Sequence, residues 1–482
     1  MGLLPVAGMA LAACLLLLLS AVMRSGRTAG YLSLFAVLAL GGGPVVLLWS
    51  EGGKVVPRTL LSCDKLALFF DALFVLVTAL VMALSLDYFE KKESHHAELY
   101  GLMALSATGM MILASSTNLI TFYLGLETMS ISFYVLAGFL RSHQNSVEAA
   151  LKYFLLGAFS SSFLLLGMAF LYGSSGSLDF GGLGAAFKLE LYPLGQPVLL
   201  LGFFLFLVGL FFKLSLIPFH FWAPDVYQGS PTPVSALMAV GGKAAAAAGA
   251  IRIFLSAFAV NPLLSKKWLL LFVGVGLLTI FVGSMVALTQ RHMKRLLAYS
   301  SIVHAGFIAL GIGALAVPEI SKAMLEAVLF YLAAYLFMNV GAFAVAAVIE
   351  RKPNHDETLL TFSGLASSSP FLAALLSLFM FSLAGIPLTA GFLGKFYVFR
   401  ALVNGGFYWC AALGLTGAVI ATYYYLKVVV ALYFSPPPDE PLPTPAVGIA
   451  SYVVLTLAAI FTLYLGVFPN VLSGLVAGLG IG

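Results

Sequence analysis

The stretch FFKLSLIPFHFW, Phe211 to Trp222, sets a lysine, a proline and a histidine inside a run otherwise apolar enough to cross a membrane. A lysine at the centre of a membrane helix costs about 2.5 to 3.5 kcal/mol on insertion scales. Pro218 removes a backbone donor and clashes with the carbonyl of Leu214, so a helix through this stretch must kink or break. The stretch therefore predicts an interrupted membrane helix with an ionisable group beside the interruption.

The rest of the chain has the same character. Of its 482 residues 61% are hydrophobic and 9% charged, with 48 glycines and a mean hydropathy of +1.06, well outside the composition of soluble domains. Apolar stretches of about 20 residues recur from end to end, each long enough to cross a ~30 Å hydrocarbon core. Spans are expected near 3–23, 31–49, 66–86, 99–115, 117–139, 149–172, 197–221, 233–258, 268–289, 297–316, 323–349, 370–403, 407–433 and 447–468, about fourteen helices in an all-α polytopic membrane fold. LAAC at Leu11 to Cys14 resembles a lipoprotein cleavage box, but Arg24 and Arg27 follow the apolar run, so the first segment reads as a retained helix. Cys14, Cys63 and Cys410 are too scattered for a disulfide framework or metal cluster, and a net charge of +5 says little about nucleic acid.

Basic residues set the orientation. Odd-numbered joins carry Arg24, Arg27, Lys91, Lys92, Arg141, Arg291, Lys294, Arg295, Arg351 and Lys352, against Lys54, Arg58, Lys65, Lys188, Lys266, Lys267 and Lys322 in the even ones. This favours odd joins in the cytoplasm and both termini outside.

The twelfth span, SLAGIPLTAGFLGKFYVF, repeats the device of the seventh, with Pro387 between Gly385 and Gly391. The two interrupted spans lie five apart, and an odd-numbered repeat inverts its topology. The expected organisation is one membrane domain over 1–482: three leading helices (1–95), a five-helix repeat (96–260), its inverted copy (261–435) and a closing helix (436–482).

Few ionisable residues lie near span centres: Glu127, Lys213, Lys243, Lys395 and His304. Lys213 is too deep to snorkel, and Lys243 sits in AVGGKAAAAAGA, whose small residues admit close helix approach or water. Lys395 follows the second interruption. Glu127 needs a cation or a proton, and a lysine paired with it would release its own proton more readily once the pair opened. A static buried pair would carry the same residues. His304 and His220 have the chemistry of relays, although a satisfied core histidine is the commoner case. Lys152, four residues after Glu148, fits a helical ion pair or a relay. His95, His96, His143, His292 and His355 fall in joins; Asp71 and Glu326 read as interfacial, Asp225 as organising a loop, and Arg252 and Lys427 as deep and unassigned.

LGLETMSISFYVLAGF (124–139), LKYFLLGAFSSSFLLLG (151–167), FKLSLIPFHFWAPDVYQGSPTPV (212–234), KRLLAYSSIVHAGF (294–307) and LAGIPLTAGFLGKF (383–396) together resemble the antiporter-like membrane subunits of respiratory complex I, most closely the subunit N type. Lysine rather than a carboxylate at 395, and the absence of a long lateral helix after the last span, fit that type. The resemblance implies a proton-translocating subunit of an NADH-quinone oxidoreductase in a bacterial inner membrane, termini in the periplasm. It implies Glu127 paired with Lys213, Lys213 linked to Lys243 through water and His220, and Lys395 serving a second half-channel near His304. Ser215, Thr232, Ser300 and Ser301 are expected to hold connecting water. It also implies membrane subunits on both lateral sides, and no cofactor in this chain, with NADH and quinone handled by partners. A multisubunit sodium/proton antiporter or membrane-bound hydrogenase subunit, and a non-conducting scaffold, are the alternatives.

Overall fold

A computed structural model describes residues 3–23, 26–50, 60–91, 97–190, 195–350, 358–436, 447–477 and 479. Arg24, Lys54, Arg58, Lys92, His95, His96, Arg351, Lys352 and His355 lie outside the described residues, as does the side chain of Lys91.

The expected spans are all present as helices: α1 Leu4–Ser20, α2 Gly26–Ser50, α3 Lys65–Lys91, α4 Glu98–Ser115, α5 Leu119–Ala137, α6 Gln144–Ser175, α7 Gln196–Leu214, α8 Thr232–Phe258, α9 Pro262–Leu288, α10 Met293–Ala314, α11 Pro318–Ile349, α12 in two halves Pro370–Ala384 and Ala390–Asn404, α13 Tyr408–Phe434 and α14 Ile449–Val467. Twelve of these are long and apolar enough to cross a membrane by length and composition; α1 and the halves of α12 are shorter. Among the described residues β structure is confined to isolated bridges.

Those bridges join like with like. Leu61 pairs with Ser116 and Asn118 with Asp179, linking the second, fourth and sixth joins, while His292 pairs with Thr358, linking the ninth and eleventh. In these three bridges even joins meet even joins and odd joins meet odd ones, as alternating membrane crossings require.

Neighbour relations repeat along the chain. α4 packs on α5 and α6 on α7; five spans later α9 packs on α10 and α11 on the distal half of α12. The α4–α5 crossing is close because both faces carry glycine: a Cβ on Gly109 would lie 2.3 Å from the Met129 nitrogen, and one on Gly125 2.6 Å from that of Leu113. α8, α10 and α11 form the buried centre of the bundle, with α3 against them.

The interruptions are full breaks. α7 stops at Leu214, before the expected bound of 221, Ser215 turns left-handed at φ 58°, and the chain resumes as the eight-residue helix Trp222–Gly229. α12 stops at Ala384, where Gly385 has φ 91°, and resumes at Ala390. Beyond the break a Cβ on Gly391 would lie 1.9 Å from the Ser382 carbonyl oxygen, so this approach requires glycine. α8 contains a π-turn, Met238–Gly242, built by the MAVGG sequence and ending at Lys243.

Candidate functional site

Lys213 sits in the last turn of α7, 5% exposed. The carbonyls at this break are taken by the chain itself: Phe211 and Phe212 accept from the amides of Leu216 and Ser215, and Phe212 also from the Trp222 indole. The ammonium turns instead to α5, donating to Ser130 Oγ at 2.7 Å and Tyr134 OH at 3.4 Å. Glu127, one turn before Ser130, accepts from Ser161 Oγ of α6 at 2.5 Å. Among the described residues no ion pair within 4 Å joins Glu127 to Lys213. The direct contact implied by the resemblance is not made here, because Lys213 is held one to two turns further along the same helix face.

Lys243 is 1% exposed and donates to Ser301 Oγ of α10. Ser301 also accepts from Tyr335 OH at 2.8 Å, and Tyr335 accepts from Asn339 Nδ2 at 2.6 Å. His304, one turn along α10, has both ring nitrogens on tyrosine hydroxyls: Nδ1 is 2.6 Å from Tyr331 and Nε2 is 3.1 Å from Tyr425, which in turn meets Ser300 at 2.5 Å. Tyr331, Tyr335 and Asn339 lie four residues apart on one face of α11. Their polar periodicity in FYLAAYLFMNV was the available signal, and the sequence reading missed it.

Lys395 uses the second break directly. Its ammonium, on a residue 5% exposed, donates to the carbonyls of Leu383 at 2.7 Å and Ala384 at 2.9 Å. Those carbonyls are left without helical donors where Gly385 leaves the helix and Pro387 lacks an N–H. Phe307 of α10 presents its ring 5.3 Å from the ammonium, and a cavity of about 480 Å³ opens beside Lys395 and Phe396.

Other candidates fall elsewhere. His220 hydrogen-bonds neither Lys213 nor Lys243; its Nδ1 is buried without a partner, and its ring faces Tyr299 at 6.4 Å. Of the expected water-holding residues, Ser300 and Ser301 line the site, Ser215 Oγ is buried and unpartnered, and Thr232 instead donates to Glu350 at the odd-join end. Arg252 grips Asp64 at 2.8 and 2.6 Å, which gives that deep arginine a structural partner. Lys427 reaches the Leu288 carbonyl at 3.4 Å. Asp71 is 2% exposed, buried within the bundle. Among the described residues no group of three or more His, Cys, Asp or Glu is arranged to hold a metal.

Lys152 lies outside the lysine row, in a surface cluster. It contacts Glu148 at 2.7 Å and Asp225 at 2.8 Å, and Asp225 also accepts from Arg295 at 2.6 Å, so this aspartate ties three segments of the odd-join end. Partial burial opposes ionisation of Asp225, but the bonds from Lys152 and Arg295 hold its carboxyl below the usual range. Its stabilisation is complete above the ordinary carboxylate range and is lost as pH falls through the lowered folded value. The cluster is solvent-screened, so Asp225→Asn is expected to cost about 1 kcal/mol or less, and to flatten the acid limb of thermal stability measured against pH.

Two broken helices five spans apart, with buried lysines on or beside them, define a polytopic membrane subunit of the antiporter-like class. Residues 116–421 match the family described as NADH:quinone oxidoreductase/Mrp antiporter, TM. The chain is 41% identical over 425 residues to NADH-quinone oxidoreductase subunit N of Trichlorobacter lovleyi, covering 88% of this chain and 85% of that one. It is similar to a chain of the respiratory complex I structure from Thermus thermophilus with bound aureothin, at 33% identity and a TM-score of 0.81, covering 99% and 100%. The fold also matches a chain of the Mrp complex from Dietzia, at 21% identity and a TM-score of 0.84, over 98% and 96%. The chain belongs to the NADH:quinone oxidoreductase/Mrp antiporter membrane family, within its NADH-quinone oxidoreductase subunit N branch.

Proposed function

We propose that this chain is a proton-translocating membrane subunit of a quinone-reducing respiratory complex of the bacterial inner membrane, moving protons through Glu127, Lys213, Lys243 and Lys395. One observation carries the reading: all three lysines are at most 5% exposed, and each ammonium rests on hydroxyl or carbonyl oxygens with no carboxylate of the described residues within ion-pair distance. A lysine solvated by neutral oxygens can release its proton without leaving a buried anion behind. Protonation then changes the charge of the row by one unit per lysine, which neighbouring lysines feel strongly in a low-dielectric core.

Glu127 supplies the control. It lies half-buried on the α5 face that also carries Ser130 and Tyr134, so a small shift of Lys213 along that face brings the ammonium to the carboxylate or away from it. Charge or strain arriving from quinone chemistry in partner subunits would bias that choice. Moving one proton against 100 mV costs about 2.3 kcal/mol, within reach of opening or closing one such pair. Other membrane subunits would flank the chain on both lateral sides, the termini would face the periplasm, and NADH and quinone would bind elsewhere in the complex.

The test is the assembled complex in proteoliposomes with Lys213→Ala or Lys243→Ala. Proton uptake per quinone reduced is expected to fall several-fold with the complex intact. Normal pumping by both variants would leave a scaffold, and sodium-driven proton flux uncoupled from quinone reduction would indicate an antiporter.

A further inference from the structure

Among the described residues no hydrogen bond joins α3 to Lys213, Lys243 or Lys395, yet it carries polar residues at every seventh position: Asp64 just before its start, then Asp71, Thr78 and Ser85. A seven-residue repeat drifts by only about 20° on a straight helix, so these side chains share one face. Asp71 is 2% exposed and Thr78 fully buried. Neither Asp71 Oδ1 nor Thr78 Oγ1 has a hydrogen-bond partner. Buried polar oxygens are satisfied in the great majority of cases, so two on one stripe require an explanation.

The surroundings of Asp71 supply one. α3 packs against α8, which carries both Lys243 and Arg252. From the Asp64–Arg252 pair, α8 leads about two and a half turns inward to Lys243, and α3 leads about two turns inward to Asp71. Asp71 therefore lies near the level of Lys243, on the side of the bundle that ends at the ion pair. The ionisable groups acting on it are Arg252 and Asp64. Arg252 is already committed to Asp64 by two bonds, so Asp71 has the field of a guanidinium without a bond to it.

We propose that Asp71 is a proton-binding site in a half-channel leading from Lys243 to the even-join end of the bundle, with the Asp64–Arg252 pair as its gate. A proton leaving Lys243 passes through water to the open Oδ1 of Asp71. With Asp71 protonated, the Asp71, Asp64 and Arg252 cluster is neutral; when the proton leaves, the cluster carries one negative charge, shared by two carboxylates around a single guanidinium. Release is thereby tied to movement of Arg252 between the two, and the gate closes when Arg252 returns to Asp64.

This inference rests on the proton-translocating reading, and the experiment separates the two. Asp71→Asn, Asp71→Glu and Lys243→Ala are compared in the assembled complex in proteoliposomes. Asp71→Asn is expected to keep quinone reduction and lose proton uptake per quinone several-fold, and Asp71→Glu to restore most of it. If Asp71→Asn pumps normally while Lys243→Ala does not, the half-channel falls and the general function stands; if both pump normally, both fall. Infrared difference spectra of the unaltered complex carrying isotope-labelled aspartate cover the case in which Asp71→Asn fails to assemble. A protonated-aspartate carbonyl band that changes on turnover supports the site, and its absence overturns it.

Discussion

Replacing Lys395 by methionine is expected to abolish proton translocation while the complex still assembles. Methionine keeps the length and apolar packing of the side chain beside Phe307 but removes the ammonium that Leu383 and Ala384 hold at 2.7 and 2.9 Å. Two carbonyls at the α12 break then lose a charged donor, a loss of about 1 to 3 kcal/mol if they stay buried and unpaired. Stability alone cannot separate a structural capping lysine from a proton carrier. Lys395→Arg does so: it supplies donors to the same carbonyls, and a guanidinium does not give up its proton in proteins. A carrier role requires both variants to stop pumping, with the arginine form recovering most of the lost stability. Normal proton uptake by Lys395→Arg, read with a membrane-potential dye, would reduce Lys395 to a cap.

Arg252→Ala is expected to produce the largest loss of stability of any substitution considered, about 3 kcal/mol. Breaking a buried pair by removing one partner costs about 3 to 5 kcal/mol, and the lower end applies because the Asp64 side chain keeps 21% of its exposure. The substitution also removes a donor from the Ala114 carbonyl, so α3, α4 and α8 lose a shared fastening. Asp64 adds a pH signature. Burial alone would raise its pKa, but the bonds from Arg252, with those from the Ala67 amide and Ser62, hold it below the usual carboxylate range. Its contribution is therefore full above that range and disappears as pH falls through the lowered folded value. In Arg252→Ala the acid limb should flatten, as followed by thermal release of the subunit from the complex between mildly acidic and neutral pH. An unchanged acid limb would mean that the pair is not what couples Asp64 to folding.

Hydropathy and proline were sufficient to predict the helices, because a bilayer forces each apolar stretch of some 20 residues into a hydrogen-bonded helix whatever its neighbours are. Pro218 and Pro387 marked the breaks for an equally local reason, and depth within a span singled out Lys213, Lys243 and Lys395. What those lysines touch was not legible. Lys213 meets Ser130 and Tyr134 some 80 residues earlier in the chain, and Lys243 meets Ser301 almost 60 residues later. Such pairings follow from how helices cross, where glycines such as Gly109 and Gly125 set the approach to within an ångström. A helix rotated by one residue would present a different hydroxyl.

The same dependence explains contacts that residue spacing did not show. Lys152 makes the expected pair with Glu148 but also reaches Asp225 across the surface, and His220 packs beside Tyr299. Asp71 is close to the start of α3 in sequence, and only the packing of the bundle shows that its side chain is buried. A polytopic helical membrane protein, two interrupted spans and a set of deep charges follow from residue order alone, since burial in lipid acts on each segment independently. Which oxygens hold each charge follows from the packing, because a hydrogen bond depends on two helices arriving at the same place.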